Sequence, residues 1–303
     1  MDTGIVLVTF NRCGDLINTL AAYDAQTAAP KFIIVVDNKS TDGTAEYLSE
    51  WKSAPHAYTP IVLSLPENIG GSGGFYEGMK KALELECDWV FVADDDAVPH
   101  SDMLEQLYNF MKAHPQQTAE AAALCTAVHN RDHNSGIHRC RIKKSLLGYV
   151  EAYVPEEEYQ KEFFYIDIYS FVGTMIRRSA LEKAGLARRD FFIYNDDYEH
   201  AVRVAKTGKI ICVPSSVMEH VDNLTNTREA TWRDYYGTRN AVIMHLEHFG
   251  AFGGFTRALR RLLVAFSSFN GQKIKVIWTA ICDAYAGKTG KHVIYRPGWK
   301  AGK

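Results

Sequence analysis

Four short apolar runs, Gly4–Phe10, Phe32–Asp37, Ile61–Leu65 and Trp89–Ala93, punctuate the first third of the chain, and stretches of helical period separate them. This alternation constrains the fold more than any other feature. Uninterrupted β-branched runs with no polar alternation are buried on both faces, which calls for a mostly parallel central sheet covered by helices on each side. Leu16, Leu20 and Tyr23 mark one helix and Thr44–Trp51 a second, opened by the turn and N-cap cluster Ser40-Thr41-Asp42-Gly43. Ser101 and Asp102 are placed to cap a helix over Met103–Ala113. The pattern weakens from His129 to Glu162, a polar stretch rich in His and Tyr, which reads as a long excursion over one face where acceptor-side loops would sit. Regularity returns with Phe171–Ile176, helices near Ser179–Ala184 and Tyr198–Lys206, a strand at Ile210–Val213 and a helix over Ala230–His248. The expected class is α/β, Rossmann-like, with helices on both faces.

With 303 residues, the chain has room for one large α/β domain and an appendage, or for two ordinary domains. The expected division is a main domain over residues 1–249 and a basic helical extension over 250–303. No run of 18 apolar residues is present, so no membrane span is expected. The opening MDTGIVLVTFNR reads as a first strand and not as a signal peptide. Six cysteines without a CxxC pair fit buried thiols in a reducing compartment, and the expected location is the cytoplasm.

The net charge of −2 conceals an asymmetry. Residues 251–303 carry ten Lys or Arg (Lys303 being the last) against Asp283 alone, whereas the other 250 residues carry 24 bases and 35 acids. A basic tail on an acidic body is suited to an anionic surface. Two helical stripes run through it, Phe255, Leu259, Leu262, Leu263, Phe266 and Phe269, then Ile274, Ile277, Trp278, Ile281 and Tyr285, with Arg257, Arg260 and Arg261 beside the first. They fit two helices packed on the body or on a second subunit of a homo-oligomer. They equally fit an interfacial helix lying peripherally on the inner face of the plasma membrane. A nucleic-acid binder would interleave aromatic platforms with its cations, and none is expected here.

Three constellations carry chemistry. Strand residues Trp89–Ala93 run into Asp94, Asp95 and Asp96. In extended chain Asp94 and Asp96 face one way and Asp95 the other. Acids at the carboxyl end of a parallel strand lie where α/β folds bind ligands, and a same-facing pair can hold a hard divalent cation on a diphosphate. Without a cation the three would repel one another, which favours this reading over a solvated turn. The second constellation, Tyr194-Asn195-Asp196-Asp197-Tyr198-Glu199, opens a helix. It serves either as a cap and dipole complement or as a rigid general base. The third, Asn68-Ile69-Gly70-Gly71-Ser72-Gly73-Gly74-Phe75, follows a strand and opens a helix. Its glycines would let backbone approach a ligand, although it matches neither the dinucleotide nor the Walker fingerprint. His220 ends the segment Val213–His220 and is either structural or a metal ligand.

Taken in order, these motifs with Thr9-Phe-Asn11-Arg12, Val36-Asp37-Asn38, Thr41-Asp42-Gly43 and His220 resemble the family 2 glycosyltransferases of GT-A fold over residues 4–245. They are most similar to the bacterial galactofuranosyltransferases, which share the Gly-Gly-Ser-Gly-Gly-Phe loop and the triple Asp. Tyr235-Tyr-Gly-Thr-Arg239-Asn240 and the basic tail are also similar to rhamnosyltransferases. The resemblance implies a metal-dependent inverting transferase acting in cell-surface polysaccharide synthesis. The donor would be UDP-galactofuranose, with dTDP-rhamnose as the alternative, and the acceptor a saccharide or lipid-linked saccharide. A nucleotide-sugar-binding relative without transfer activity is the competing reading, as is a pyrophosphorylase-like enzyme, whose basic Gly-rich first loop is missing. The resemblance puts donor contacts on Thr9, Asn11, Arg12, Asp37, Asn68, Gly70, Gly71, Asp94 and Asp95. It puts Mn²⁺ or Mg²⁺ on Asp94, Asp96 and His220, and the base at Asp197 with Asp196 beside it. The family's Trp before the paired acids is Asn195 here, with Tyr194 or Tyr198 as aromatic substitutes.

Overall fold

A computed structural model describes residues 1–301 except 131–132, 135, 146–147 and 221–228, so Lys303 of the basic tail lies outside the described residues. The alternation in the first third becomes β1 (Thr3–Thr9), α1 (Cys13–Asp24), β2 (Phe32–Asp37), α2 (Thr44–Ser53), β3 (Thr59–Ser64), α3 (Gly70–Glu84) and β4 (Trp89–Asp94). Next come β5 (Ala97–Pro99), α4 (Met103–Ala113), α5 (Pro115–Glu120), β6 (Ala121–Asn130) and β7 (His133–Asn134). The stretch expected as an irregular excursion instead forms β8 (Arg139–Ser145) and β9 (Gly148–Tyr153), an antiparallel pair joined by β11 in a small second sheet. The chain continues through β10 (Phe164–Ile166), β11 (Ile168–Tyr169), β12 (Thr174–Arg177), α6 (Arg178–Ala184), α7 (Asp196–Val204), β13 (Lys209–His220), α8 (Trp232–Ser267) and α9 (Gly271–Tyr285).

The main sheet has the order β10-β13-β6-β12-β4-β1-β2-β3. β1 pairs in parallel with β2 and β4, and β2 with β3. Strand order therefore reverses between β1 and β4, and a crevice opens at their carboxyl ends, the usual ligand position in such sheets. β12 enters antiparallel between β4 and β6. Alternate side chains of β1 feed two cores: Val6 and Val8 meet Phe75 and Met79 of α3, while Ile5 and Leu7 meet Leu16 and Leu20 of α1 and Leu104 and Leu107 of α4. The strand expected at Ile210–Val213 runs on to His220, because a register shift between Val213 and Val217 carries it past Pro214. Its last residues pair antiparallel with β5, setting His220 opposite Ala97.

The helix expected over Ala230–His248 continues to Ser267, across the expected boundary at 249/250, with non-helical backbone at Gly250 (φ 73°). Thr231 and Asp234 close a capping box at its start. Of the α8 stripe, Leu262 packs inward against the α8–α9 seam but the larger part does not. Phe255, Leu263 and Phe266 are 57%, 59% and 56% exposed, while Ala258 and Ala265 meet Ile277 and Ile281 of α9. The arginines expected to flank an outward stripe turn to the body. Arg257 pairs with Glu151 at 2.7 Å, Arg260 donates to the Tyr149 carbonyl, and Arg261 donates to the Gly237 carbonyl. No described helix is long and apolar enough to cross a membrane, and all six cysteines are free.

Glycines in α3 set how closely it lies on the sheet. A Cβ on Gly74 would come within 2.5 Å of Val8 Cγ1, and one on Gly78 within 2.3 Å of Val6 Cγ1. Replacing Gly78 by Ala raises helix propensity by about 1 kcal/mol but overpacks the core at a cost of about 1–3 kcal/mol. Gly78→Ala is therefore expected to lower the urea midpoint with no change in m-value, and a variant as stable as the wild type would contradict this close packing.

Candidate active site

The β1–α1 and β2–α2 loops are laced together at the crevice. Asn11, at φ 53°, donates its N–H to Ser40 Oγ and accepts from Thr41 N–H at 2.7 Å. Cys13 N–H reaches Asp42, and the buried Asp37 accepts from Ser40 N–H at 2.9 Å. Asn38, which sequence reading gave no role, joins this wall to the glycine segment: its Nδ2 donates to the Gly70 carbonyl and its Oδ1 accepts from Ile69 N–H.

That glycine segment is largely structural. Gly70 has φ +81°, and a Cβ there would meet the Phe192 carbonyl oxygen at 1.9 Å. Two amides at the start of α3 are taken, Gly70 N–H by Asn68 Oδ1 and Ser72 N–H by the Phe192 carbonyl. Gly73 and Gly74 abut Ile69 and Val8. The expected close approach of backbone to a ligand thus has room only at Gly71, where a Cβ would meet nothing within 4 Å.

The triple Asp does not stay extended as expected: β4 ends at Asp94, and Asp95 and Asp96 form the turn into β5. Ligand atoms of Asp94, Asp96 and His220 lie within 4.8 Å of one another. Asp95 is buried, and its carbonyl accepts from Thr19 Oγ1 at 2.8 Å. Arg12 bridges the cluster, donating to Asp95 Oδ1 at 3.2 Å and to Asp96 Oδ2. The pairing of β5 with β13 brings in His220, whose Nε2 is 3.3 Å from Asp96 Oδ1. His138, which the sequence did not single out, stands edge-on to His220 with ring centroids 5.3 Å apart, and its Nδ1 is 2.7 Å from Ser170 Oγ. Burial, then Asp96, raises Asp94 to about 6, and burial raises Asp95 to about 7. Burial pushes Asp96 the same way, but His220 and Arg12 outweigh it and hold Asp96 below the ordinary value. Hard carboxylate oxygens beside one imidazole suit Mn²⁺ or Mg²⁺, and the acids here outnumber their cationic partners, so the residues present fit a divalent ion.

The second acidic group opens α7. Asn195 occupies the N-cap position in left-handed conformation, yet its side chain caps nothing and donates to the Gly237 carbonyl at 3.3 Å. Phe192 and Tyr194 also have positive φ, 68° and 67°. Asn240 holds this strained stretch: its Nδ2 lies 3.0, 2.8 and 2.9 Å from the carbonyls of Phe191, Ile193 and Tyr194. Arg239 Nε donates to Asn240 Oδ1, which fixes the amide orientation, while its Nη2 also reaches the Phe191 carbonyl. The sequence signal was the Tyr-Tyr-Gly-Thr-Arg-Asn motif, to which pattern alone assigns no task.

Three acids in one turn are driven apart. Glu199 is held down to about 2, since bonds from His248 and Arg203 outweigh its burial. Asp196 is raised to about 7, chiefly by burial, and Asp197 well above the usual carboxylate range by burial and then Asp196. Carboxyl groups separated in this way are suited to acid–base work.

Fold and site together define a GT-A protein. The Glycosyl transferase family 2 model matches residues 4–185, more than half the chain, and the chain belongs to that family. Galactofuranosyltransferase GlfT1 of Mycobacterium tuberculosis is 29% identical over 204 residues, 67% of this chain and 64% of the relative, so the match stops just short of two thirds of that protein. Two solved structures share the fold. One is S. aureus TarS 1-349 in complex with UDP, with TM-score 0.56 at 14% identity over 89% of this chain and 71% of that one. The other is the mannosyltransferase PcManGT from Pyrobaculum calidifontis in complex with GDP-Man and Mn²⁺, with TM-score 0.59 at 17% identity over 94% and 75%.

An acid whose pKa is raised on folding stabilises the folded chain only while protonated. Its contribution is full below the unfolded value of 3.8 and is lost as pH rises through the folded value, about 7 for Asp196. In EDTA, Asp196→Asn should therefore match the wild type near pH 4 and exceed it by on the order of a few kcal/mol at pH 8. Urea titrations at several pH values check this, and parallel stability curves for the two proteins would contradict it.

Proposed function

We propose that the chain is a metal-dependent inverting glycosyltransferase that moves galactofuranose from UDP-galactofuranose to a hydroxyl of a saccharide or lipid-linked saccharide in cell-surface polysaccharide synthesis. The observation that carries this reading is the convergence of Asp94, Asp96 and His220 at the carboxyl ends of β4 and β13, close enough to the buried Asp196–Asp197 pair for Asp94 to act on both electrostatically. The similarity to GlfT1 favours galactofuranose over the dTDP-rhamnose alternative. Residues 1–249 would form the catalytic unit and 250–303 its helical extension.

In this mechanism Thr9, Asn11, Arg12 and Asp37 line the nucleotide end, with Asn68, Gly70 and Gly71 behind it. Asp94, Asp96 and His220 hold Mn²⁺ or Mg²⁺, with Asp95 beside them. A cation held there would supply positive charge for the donor diphosphate as it departs. Arg12, which bridges Asp95 and Asp96, would present its guanidinium to phosphate oxygens of the donor. Asp197 takes the proton of the attacking acceptor hydroxyl, with Asp196 beside it as charge partner. Attack from the face opposite the leaving diphosphate inverts the anomeric centre in one displacement. A base kept protonated by burial must first lose its proton, so kcat/KM should rise with pH along an acidic limb.

EDTA is expected to abolish transfer and Mn²⁺ or Mg²⁺ to restore it, and full activity in excess chelator would rule out the cation site. Asp197→Asn should keep UDP affinity and lower kcat by about 10² to 10⁴. A near-normal kcat would remove Asp197 from the role. Assay against UDP-galactofuranose and dTDP-rhamnose separates the donors, and consumption of neither with any acceptor would favour a binding relative without transfer.

The exposed Phe255, Leu259, Leu263 and Phe266 are proposed to rest on the inner face of the plasma membrane. With Arg257 and Arg261 turned inward, apolar contact carries this attraction more than charge does. Vesicle flotation should persist in high salt and fail for Leu263→Glu. A salt-stable dimer by light scattering with no flotation would assign the face to a second copy instead.

A further inference from the structure

Arg261 is the cation whose surroundings least account for it. Its Nη2 donates to the Gly237 carbonyl at 3.2 Å, and among the described residues its buried Nε has no hydrogen-bond partner. Among the described residues no carboxylate lies within 4.0 Å of it. Glu151, an acid that acts on it electrostatically, is already taken by Arg257 at 2.7 Å and His245 at 2.9 Å. Arg257, one turn away on the same helix, adds a second positive charge and also leaves its Nε unbonded. Asp234 is engaged by Lys273 at 3.5 Å. Burial, together with Arg257, pushes the Arg261 guanidinium down to about 10, the signature of a cation short of an anion.

Its position gives that shortage a meaning. The Gly237 carbonyl that Arg261 grips also accepts from Asn195 Nδ2 at 3.3 Å, and Asn195 immediately precedes the paired acids. A Cβ on Gly237 would meet nothing within 4 Å among the described residues, so the helix face there borders open space between them. Tyr153 of β9, 61% exposed, and Tyr194, also exposed, project nearby. The nucleotide wall formed by Asp37 and Asn11 belongs to β1 and β2, whereas this space lies beside α7 and α8.

We propose that the space beside Gly237, between Asn195 and Arg261, is a binding site for an anionic phosphoryl group of the acceptor, gripped by Arg261. A guanidinium presents paired N–H donors to phosphate oxygens, and burial strengthens the bond. The site deepens the acceptor reading above and rests on it for its name, but its occupancy is measured without any transfer reaction.

The probe is methyl phosphate, titrated calorimetrically into the full chain in EDTA so that no divalent ion can carry it. Saturable binding is expected. Arg261→Gln should weaken it by about tenfold or more, the loss of one charge-assisted contact. Gly237→Val, which fills the space without touching the arginine, should weaken it similarly, and Arg261→Lys should retain most of it. Affinity for UDP with Mg²⁺ should be unchanged in all three. Absence of saturable binding to the wild type overturns the site. So does undiminished binding to Arg261→Gln, or to Gly237→Val where the glutamine variant does not fold. Parallel loss of UDP affinity would make Arg261 a donor residue and overturn the acceptor assignment. Loss of transfer activity with methyl phosphate binding intact would count against the transferase reading alone.

Discussion

The amide of Asn240 is the interaction on which the rest of the site hangs. Its Nδ2 is shared among three carbonyls, and Arg239 fixes which way the amide faces. Residues of positive φ cost on the order of 1–3 kcal/mol each in bulky side chains, and Phe192, Tyr194 and Asn195 follow one another almost without a break. Only a partner that accepts this geometry can maintain it. Once it is held, the Phe192 carbonyl points at Ser72 N–H, which seats the start of α3. Gly70 is then obligatory, because any side chain there would collide with that same carbonyl. The starts of α3 and α7 and the body of α8 therefore meet at one backbone stretch, and the positions of Asp196 and Asp197 follow from it.

The acids impose the opposite demand. Asp94, Asp95, Asp196 and Asp197 are all raised, burial being the largest cause for each. Such a cluster destabilises the fold whenever it ionises, and among the described residues Arg12 and His220 are the cations paired with the first group. Glu199, two residues beyond Asp197, is spared because Arg203 and His248 neutralise it. The division is economical: one acid of the turn anchors α7 to α8, and the other two are kept in the unpaired, low-dielectric state that proton transfer requires.

The parallel half of the sheet was legible because strands buried on both faces leave a continuous apolar signature. Asp94 and Asp96 do come together, but through the turn that ends β4 and not through extended alternation. The partnership with His220 came from the family resemblance and not from pattern, since it depends on β13 bulging past Val213 and then pairing with β5 more than a hundred residues earlier in the chain. The hairpin of β8 and β9 escaped notice because Arg139-Cys-Arg-Ile-Lys-Lys carries its apolar contacts on few residues. Arg139 is itself fully buried, spending its guanidinium on the carbonyls of Thr126, His138, Val172 and Gly173. No composition rule anticipates a buried arginine of that kind. In the glycine segment a second purpose went unread, because a pattern cannot say whether a missing Cβ makes room for a ligand or for Val8.

The tail shows why a helical stripe does not by itself declare which side is inside. Apolar area favours burying the side with Phe255, Leu263 and Phe266, yet α8 packs through Ala258 and Ala265 and leaves the large side chains outside. Two constraints decide this. Small residues let α9 approach closely enough for Ile277 and Ile281 to fill the seam. Meanwhile the Glu151 carboxylate on β9 demands a cation, which Arg257 can supply only if its side of the helix faces the body. The break at Gly250 then lets the second half of α8 return along the first, with Gly254 within 2.3 Å, by its missing Cβ, of Leu246. That return brings Arg261 back to the Gly237 carbonyl a full 24 residues earlier. A straight helix would hold those two residues tens of ångströms apart at about 1.5 Å per residue, so the left-handed glycine is what joins the arginine to the site while the opposite face stays open.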